Sequence, residues 1–548
     1  MNETAATAAQ FNWAALAPAL AVALTAVLGV LVEALVPRAW RPTTQRVLAV
    51  AGVAVAIVLA TVRWLDTLTP TKEVVNQVNV GQLDLSSVAY GSIAPGLVED
   101  RFSQAASLIL LVIGLLSVFL LADRTSARDG AIAAQAADRP GSAEEAQSLH
   151  LGWQTTEVYP LTLLSLSGMM LFANVNNLEA LFVVLEIISL PLYVLSATAR
   201  HRRLLSQEAA LKYFILGAFA SGFLLFGSAL IYGVYGVLDY SLLAKGMTRW
   251  AQLGAPGLLV PVGVILIVVG LLFKIAAVPF HSWSPDVYQG APTPVTAFMA
   301  SGVNAAAFFA LCRFAFTAGL YPLFSKAATS QVLYWSLWVI AIATMLVGTV
   351  GGVLQKDIKR MLAYSAISHA GFMLIAIIGA QPVSLTAIAL YSLVYGLATI
   401  AAFGVVSLVR RSHNGISAEA NEIASYAGLG KTNPMLAAAM ALALLSFAGI
   451  PLTAGFVGKF QLFVTAASGN TLWLVVAAVV CSAITAFYYV RVISNMFFRK
   501  PAQGVEVVVS DGFALVAIFA AVVGTIFLGV YPQPVMHWLS QVAVMLVP

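Results

Sequence analysis

Apolar runs long enough to cross a lipid bilayer dominate this sequence. Hydrophobic residues make up 60% of its 548 positions and charged residues only 9%, whereas soluble domains carry about 25% charged residues. A spanning helix needs about 20 predominantly apolar residues. The sequence therefore predicts an all-α membrane protein. The runs that meet the requirement number fourteen: 13–36, 46–65, 102–122, 157–175, 178–198, 208–234, 257–279, 292–316, 331–354, 358–379, 384–409, 434–466, 471–498 and 511–531.

Basic residues alternate between the two sets of predicted loops. Cytoplasmic loops of membrane proteins carry an excess of lysine and arginine. The richer set is therefore predicted to be cytoplasmic, which places both termini on the outer side of a bacterial cell membrane. It contains Arg38, Arg41, Arg46, Arg124, Arg128, Arg139, Arg200, Arg202, Arg203, Lys356, Lys359, Arg360, Arg410, Arg411, Lys431, Arg499 and Lys500. The poorer set contains Lys72, Arg101, Lys245, Arg249 and Lys326.

Two of the predicted helices are interrupted by a proline that lies close to a lysine. Lys274 precedes Pro279, and Lys459 follows Pro451. Paired interruptions of this kind at corresponding places indicate inverted repeats with a site at the breaks. The predicted repeats contain the fourth to eighth and the ninth to thirteenth helices. The predicted division is 1–122 for three N-terminal helices, 123–156 for a cytoplasmic connector, 157–316 and 331–498 for the repeats, and 511–548 for the C-terminal helix and tail.

Among the ionisable residues inside predicted spans, five are the candidates for function, namely Glu186, Lys212, Lys274, His369 and Lys459. A charge at the centre of a span costs about 2.5–3.5 kcal/mol on insertion scales, so such residues usually have a function. Burial disfavours their charged forms, which allows them to exchange protons near neutral pH. Alternatives remain open: Lys212 can extend to the cytoplasmic surface, Glu186 can belong to a structural ion pair, and His369 can be a hydrogen-bonded core residue.

Other polar residues near the spans have weaker signals. Glu33, Arg313 and Arg491 lie near helix ends and are predicted to be interfacial, while Tyr488 and Tyr489 are predicted to pack between helices. His281 follows the first break and either relays protons or caps the chain there.

Cysteine usage argues against a redox or metal centre. Cys312 and Cys481 lie in separate apolar runs and belong to no CxxC or Cys/His cluster. Haem, iron–sulfur and zinc sites are therefore not expected, and no cofactor or metal is predicted in this chain. No stretch combines basic and aromatic residues on a solvated face, so nucleic acid is not an expected partner. The expected surroundings are the lipid bilayer and other membrane proteins.

The residues around the buried charges resemble the antiporter-like membrane subunits of proton-pumping respiratory complex I, most closely their N-type members. The run from Pro279 to Tyr288 is typical of the N type. The resemblance implies proton translocation coupled to quinone reduction elsewhere in the complex. It also implies contact with other membrane subunits and, indirectly, with a peripheral redox arm that holds flavin and iron–sulfur clusters. The matching stretches are 178–193, 211–218, 273–288, 355–371 and 449–460.

The same resemblance implies roles for particular residues. Glu186 and Lys212 would form an interacting pair in the first half-channel, Lys274 would be its central lysine, and Lys459 would be the counterpart in the second half. Asn304 stands where the family usually has a further lysine. Because an amide does not titrate, either the link between the halves would run through water, His369 or tyrosines, or proton movement through this chain would differ from the family's usual scheme.

Three other functions remain open at this stage. The chain could belong to a multi-subunit cation/proton antiporter, for which the same broken helices would serve Na⁺. It could also be a structural spacer whose proton path is interrupted at Asn304. A stand-alone solute carrier is disfavoured because the interior groups are titratable rather than varied and polar.

Overall fold

The computed structural model describes residues 11–66, 92–124, 130–135, 138, 142–151, 153, 155–200, 202–253, 258–318, 331–413, 416–469 and 471–542. Lys72, Arg128, Arg139 and Lys326, used above to assign the loops, lie outside these residues, as do parts of the predicted connector.

Helices dominate the structure, and the prediction of an all-α membrane fold is confirmed. Eleven helical segments in the described part of the chain are long and apolar enough to span a membrane. The first half contains α1 Trp13–Leu35, α2 Arg41–Asp66, β1 Ser92–Ala94, β2 Leu97–Val98, α3 Arg101–Ala122, α4 Ala143–His150, α5 Val158–Phe172, α6 Leu178–Ser196, α7 Arg203–Tyr235, α8 Tyr240–Leu253, α9 Leu259–Lys274, α10 Trp283–Gly290, α11 Thr293–Phe298 and α12 Asn304–Thr317. The second half contains α13 Gln331–Leu354, α14 Ile358–Ile378, α15 Val383–Leu408, β3 Val409–His413, β4 Ile416–Glu419, α16 Leu429–Thr432, α17 Pro434–Ala448, α18 Ala454–Ala467, α19 Leu472–Phe498, β5 Val505–Val507, α20 Phe513–Val530 and α21 Gln533–Ser540.

Three of the predicted spans correspond to shorter helices. One is the 15-residue α5, another is the 16-residue α9, and the third is divided between α17 and α18. The chain leaves helical geometry after Lys274 and again after Ala448, close to the prolines that suggested the interruptions. The count of fourteen spans, the inverted repeats and the domain boundaries remain predictions.

The centre of the bundle consists of helices that are apolar on all sides. In the most apolar 18-residue stretch of α14, of α15 and of the segment Thr293–Thr317, 94% of the residues are buried. The corresponding share is 33% in α1, α2, α19 and α20. A helix without a polar face is stable only when other helices surround it. Polar groups on the central helices therefore meet other helices rather than lipid.

Two small sheets lie outside the spans. Strand β3 pairs antiparallel with both β4 and β5, and Arg410 opposes Glu419 in that ladder. This sheet connects the chain after α15 with the chain before α20, on the side that is predicted to be cytoplasmic. Strands β1 and β2 form a short hairpin before α3.

Candidate functional site

The break after α9 is held by hydrogen bonds to neighbouring elements. The indole Nε1 of Trp283 donates to the Phe273 carbonyl at 3.1 Å, and the Val278 amide donates to Thr344 Oγ1 at 3.0 Å. Carbonyls and amides at helix ends lack partners within their own helix. These contacts therefore satisfy the interrupted backbone and fix the position of Lys274 as the last residue of α9.

Lys274 is held in the protein interior by hydroxyl groups. Its side chain is buried, and Nζ donates to Ser189 Oγ at 2.7 Å and to Tyr213 OH at 3.3 Å. The ring of Tyr213 lies 5.3 Å and that of Tyr193 5.9 Å from Nζ. A cation near aromatic faces is stabilised by the ring quadrupoles. The environment thus tolerates a charge without supplying a carboxylate in direct contact.

Glu186 lies near Lys274 on the helix that provides Ser189. It is half-buried, and no direct ion pair joins it to Lys274 among the described residues. Glu186 and Ser189 are three positions apart, so the two side chains lie on one face of α6. The structure therefore brings together two of the sequence-predicted site residues.

Lys212 forms no ion pair with Glu186 among the described residues, and the interaction expected between the two remains a prediction. Lys212 Nζ pairs with Glu208 at 2.8 Å and with Asp286 at 2.9 Å, and its side chain is 44% exposed. Glu208 is within reach because positions i and i+4 are neighbours on a helix. The break after α9 brings Asp286 to the same place. The alternative that Lys212 extends towards the surface agrees with this exposure.

Asp286 joins the two halves of the chain. In addition to Lys212, its carboxylate accepts a hydrogen bond from Arg360 Nη1 at 2.6 Å, and Arg360 lies on α14. Burial alone would raise the pKa of the Asp286 carboxyl, but hydrogen bonds from Lys212 and Arg360 hold it below its usual value. A second bond, from Gln289 Nε2 to Asp357 Oδ2 at 2.8 Å, reinforces the contact between α10 and α14. We refer to Lys212, Asp286 and Arg360 as the junction.

Asn304 begins α12, directly after a π-helical turn at Met299–Val303. Between residues 291 and 316 it is the only position that is not fully buried. Single π-turns inside helices occur frequently at functional sites. The amide can donate and accept hydrogen bonds but cannot carry a proton between protonation states.

His369 is the centre of a buried hydrogen-bond network in the second half. Its Nδ1 is bonded to Tyr391 OH, and its Nε2 lies 3.1 Å from Tyr489 OH. Tyr489 also bonds to Ser365 Oγ and accepts from Tyr488 OH at 3.3 Å. The prediction that Tyr488 and Tyr489 merely pack was therefore incomplete, since both hydroxyls belong to this network.

Lys459 has an environment similar to that of Lys274. It is buried, and Nζ donates to Ser482 Oγ at 2.8 Å and to the Ala448 carbonyl at 3.2 Å. The Ala448 carbonyl is available because α17 ends there. The Phe372 ring lies 5.2 Å from Nζ. Neither lysine has a carboxylate within ion-pair distance in the part of the chain that the structure describes.

Sequence reasoning missed two buried ion pairs. Arg313, predicted to be interfacial, is buried and paired with Asp100. Lys359, assigned to a loop, is also buried; its Nζ is 3.2 Å from Glu419 Oε2, which accepts a further bond from Thr293 Oγ1 at 2.7 Å. The partners in each pair are far apart in the chain, so no local pattern could have revealed them.

The other polar residues near helix ends also have internal partners. Arg491 donates to the carbonyls of Val353 and Gln355, each at 2.9 Å, and so caps the end of α13. Glu33 accepts from Gln45 Nε2 at 2.7 Å. His281 is half-buried at the break after α9, and its Nδ1 has no hydrogen-bond partner in the described regions.

Comparison with known proteins concerns the whole chain and its fold. Residues 175–485 match a family described as NADH:quinone oxidoreductase/Mrp antiporter, transmembrane. The chain is 44% identical over 534 residues to NADH-quinone oxidoreductase subunit N of Thermobifida fusca, with 96% of this chain and 92% of that protein covered. It is also similar to a chain of respiratory complex I from Thermus thermophilus, at 32% identity and a TM-score of 0.70, covering 95% of this chain and 98% of that one. A chain of the Mrp complex from Dietzia has the same fold, with a TM-score of 0.75 at 22% identity, covering 97% of each chain.

Proposed function

The chain belongs to the NADH:quinone oxidoreductase/Mrp antiporter family of membrane proteins, and from that membership we propose a route for the protons that it moves. It is a proton-translocating membrane subunit of NADH-quinone oxidoreductase, of the type called subunit N in its relatives. Its partners are the other membrane subunits of that complex. In the proposed route Lys274 and Lys459 are the principal carriers.

The observation that supports this role is the shared environment of the two lysines. Each is buried at a break between helices and bound to a serine hydroxyl, at 2.7 Å for Lys274 and 2.8 Å for Lys459. A hydroxyl accepts a hydrogen bond from a charged ammonium and can donate one to a neutral amine. A carboxylate in contact would instead favour the charged form. Hydroxyl partners therefore suit a lysine that alternates between two protonation states.

Coupling begins at the junction. An ionised Glu186, one helical turn from the Ser189 that binds Lys274, would act on that lysine through its charge, and Lys212 is held by Glu208 and Asp286. If Lys212 moved towards Glu186, it would neutralise that charge at Lys274. Two unit charges about 10 Å apart interact by about 1.7 kcal/mol at an effective dielectric constant of 20. That is more than a tenfold change in the proton equilibrium of Lys274, enough to drive a transfer along the series Glu186, Lys212, Lys274, His369 and Lys459.

Electron transfer belongs to partner subunits in this proposal. Flavin, iron–sulfur clusters and quinone are held there, and this chain binds no cofactor. The chain lies in the bacterial cell membrane with both termini on the outer side. Its first repeat, 157–316, contains Lys274, and its second, 331–498, contains His369 and Lys459.

The test uses the whole complex reconstituted in lipid vesicles, with proton uptake and NADH:quinone reductase activity measured together. We expect K274A and K459A to abolish proton uptake through this subunit, which lowers the number of protons moved per NADH. K500A is the control, because Lys500 is exposed and lies far from the breaks in sequence. Unchanged stoichiometry in both K274A and K459A would refute the route, and proton flux that also survives E186A would favour the spacer function.

A further inference from the structure

We propose that a line of hydroxyl groups on α15, formed by Tyr391, Tyr395 and Thr399, transfers protons between His369 and the Lys274 site in place of the lysine that Asn304 replaces. We call these three residues the hydroxyl line. The inference rests on the proposed function, because it assumes that protons move between the two halves of the chain. The inference adds to the proposed function the groups that connect the two halves.

The hydroxyl line follows one face of a central helix. Its members are four residues apart, so successive side chains lie one above the other. At a rise of about 1.5 Å per residue, the three positions span about 12 Å along the axis. All three side chains are buried. The hydroxyl line is therefore a row of polar groups on a buried face of a central helix.

One end of the hydroxyl line reaches the histidine network. Tyr391 OH is bonded to His369 Nδ1. The Tyr395 ring lies 5.0 Å from the imidazole and stacks on the Tyr391 ring at 6.4 Å. A proton on His369 therefore has a tyrosine hydroxyl in direct contact.

The other end points towards the first half of the chain. Phe403 lies one turn beyond Thr399 on α15, and its ring packs against Tyr288 of α10 at 6.2 Å. Helix α10 begins at Trp283, whose ring stacks on Tyr213 at 4.7 Å. Tyr213 OH in turn accepts from Lys274 Nζ. Helix α10 is thus the physical link between the hydroxyl line and the lysine.

The hydroxyl line has unused hydrogen-bonding capacity. Thr399 is adjacent to Tyr395, yet its Oγ1 has no hydrogen-bond partner of normal geometry in the described part of the chain. Ser392, on the same helix, and Ser284, on α10 next to Tyr288, have hydroxyls in the same condition. Buried hydroxyls are normally bonded to protein or to ordered water. Groups with spare donors and acceptors at this spacing suit a chain of hydroxyls and bound water.

Hydroxyls transfer protons by a different chemistry from lysine. Each accepts a proton on one lone pair while it releases its own to the next acceptor, so no group stores a net charge. Asn304 does not relay in this way, because its amide accepts hydrogen bonds on oxygen and donates them from nitrogen, whereas a hydroxyl does both on one atom. The hydroxyl line therefore replaces a charge-storing carrier with a relay, and His369 and Lys274 remain the storing groups at its ends.

The experiment compares Y395F and T399V, each of which removes a relay hydroxyl and leaves the side-chain shape nearly unchanged. Proton uptake per NADH is measured in vesicles containing the whole complex. Y240F is the matched control, because Tyr240 is a fully buried tyrosine on α8, outside the hydroxyl line. We expect proton transfer through this subunit to fall at least about tenfold in Y395F and T399V, since positioned proton-transfer groups contribute about 10²–10⁴-fold, and to be unchanged in Y240F.

A second variant separates a relay role from a packing role. N304K restores a titratable group, so we expect it to recover proton transfer when combined with Y395F. Parental transfer in both Y395F and T399V would overturn the inference. An equal loss of proton transfer in Y240F would also overturn it. So would a Y395F/N304K double variant that transfers protons no better than Y395F, provided that the N304K single variant pumps. If K274A and K459A both pump normally, the proposed route itself fails. If both are inactive while Y395F and T399V are normal, only the hydroxyl line fails.

Discussion

The buried pair between Arg313 and Asp100 gives a prediction whose size follows from its geometry. Arg313 Nη2 donates to Asp100 Oδ1 at 2.8 Å, and Nη1 is bonded to the other carboxylate oxygen. Nε and Nη2 also donate to the Ala173 carbonyl at 3.1 and 2.9 Å. The exposed fraction of the Arg313 side chain is only 1%. R313Q removes the positive charge and leaves the buried carboxylate without its cationic partner.

Breaking a buried ion pair by removing one partner costs about 3–5 kcal/mol, because the remaining charge is uncompensated. The glutamine amide can still donate to the Ala173 carbonyl, so no further cost is added for that group. Since 1.36 kcal/mol corresponds to a factor of ten, local opening at this site should become about a hundredfold to a few thousandfold more frequent.

Hydrogen–deuterium exchange of the assembled complex in lipid nanodiscs measures this opening. The informative amide is that of Ser103, which donates to Asp100 Oδ1 at 2.8 Å in the first turn of α3. R411Q is the control: Arg411 pairs with Glu422 at 3.1 Å, and 54% and 66% of the two side chains are exposed, so water can replace the lost partner. Acceleration below tenfold in R313Q, or equal acceleration in R411Q, would refute the assignment of a buried, uncompensated carboxylate.

Three further predictions concern acidic residues outside the spans. D286N removes the acceptor shared by the two cations of the junction and should lower the number of protons moved per NADH. In the parental protein those cations hold the Asp286 pKa below its usual 3.8, so Asp286 is ionised and the junction persists at every pH above 3.8. The parental number of protons moved per NADH should therefore be constant from pH 6 to 8. Burial raises the pKa of Asp123 to about 6, although hydrogen bonds from Ser510 and the Ala514 amide oppose the shift. The folded state therefore binds the Asp123 proton more tightly than the unfolded state does, and the contribution of Asp123 to thermal stability should rise as pH falls from about 7 to 4. D123N should remove that rise in a pH series of inactivation temperatures. E419Q leaves Lys359 buried without a charged partner and should lower the inactivation temperature of the complex. Replacing both Glu419 and Lys359 with leucine should recover part of the loss. Equal inactivation temperatures for the single and the double variant would contradict the pairing.

Much of the fold could be predicted because its signals are local. The apolar runs, the prolines near Lys274 and Lys459, and the mid-span positions of Glu186 and His369 are properties of short stretches of chain. The two breaks occur close to the prolines that indicated them. The resemblance to complex I subunits, carried by motifs of a dozen or so residues, correctly indicated the family.

The contacts of the site were harder to predict. Lys212 was expected beside Glu186, and its ion pairs with Glu208 and Asp286 were not predicted. Ser189 and Ser482 give no sequence signal that would distinguish them from other serines, yet they are the nearest partners of the two buried lysines. The partners of Arg313 and Lys359 were equally invisible.

The sequence by itself determined which segments enter the membrane and which charges go with them. Transfer free energies add residue by residue along a span, so that information is contained in each stretch of chain. Only the tertiary structure decided which groups meet. Asp286 lies 74 residues from Lys212, and Asp100 lies 213 residues from Arg313. A hydrogen bond weakens steeply with small changes in distance and angle, so the partners of Lys274 and Lys459 depend on how the helices pack, and that packing brings hydroxyls rather than carboxylates into contact with both lysines.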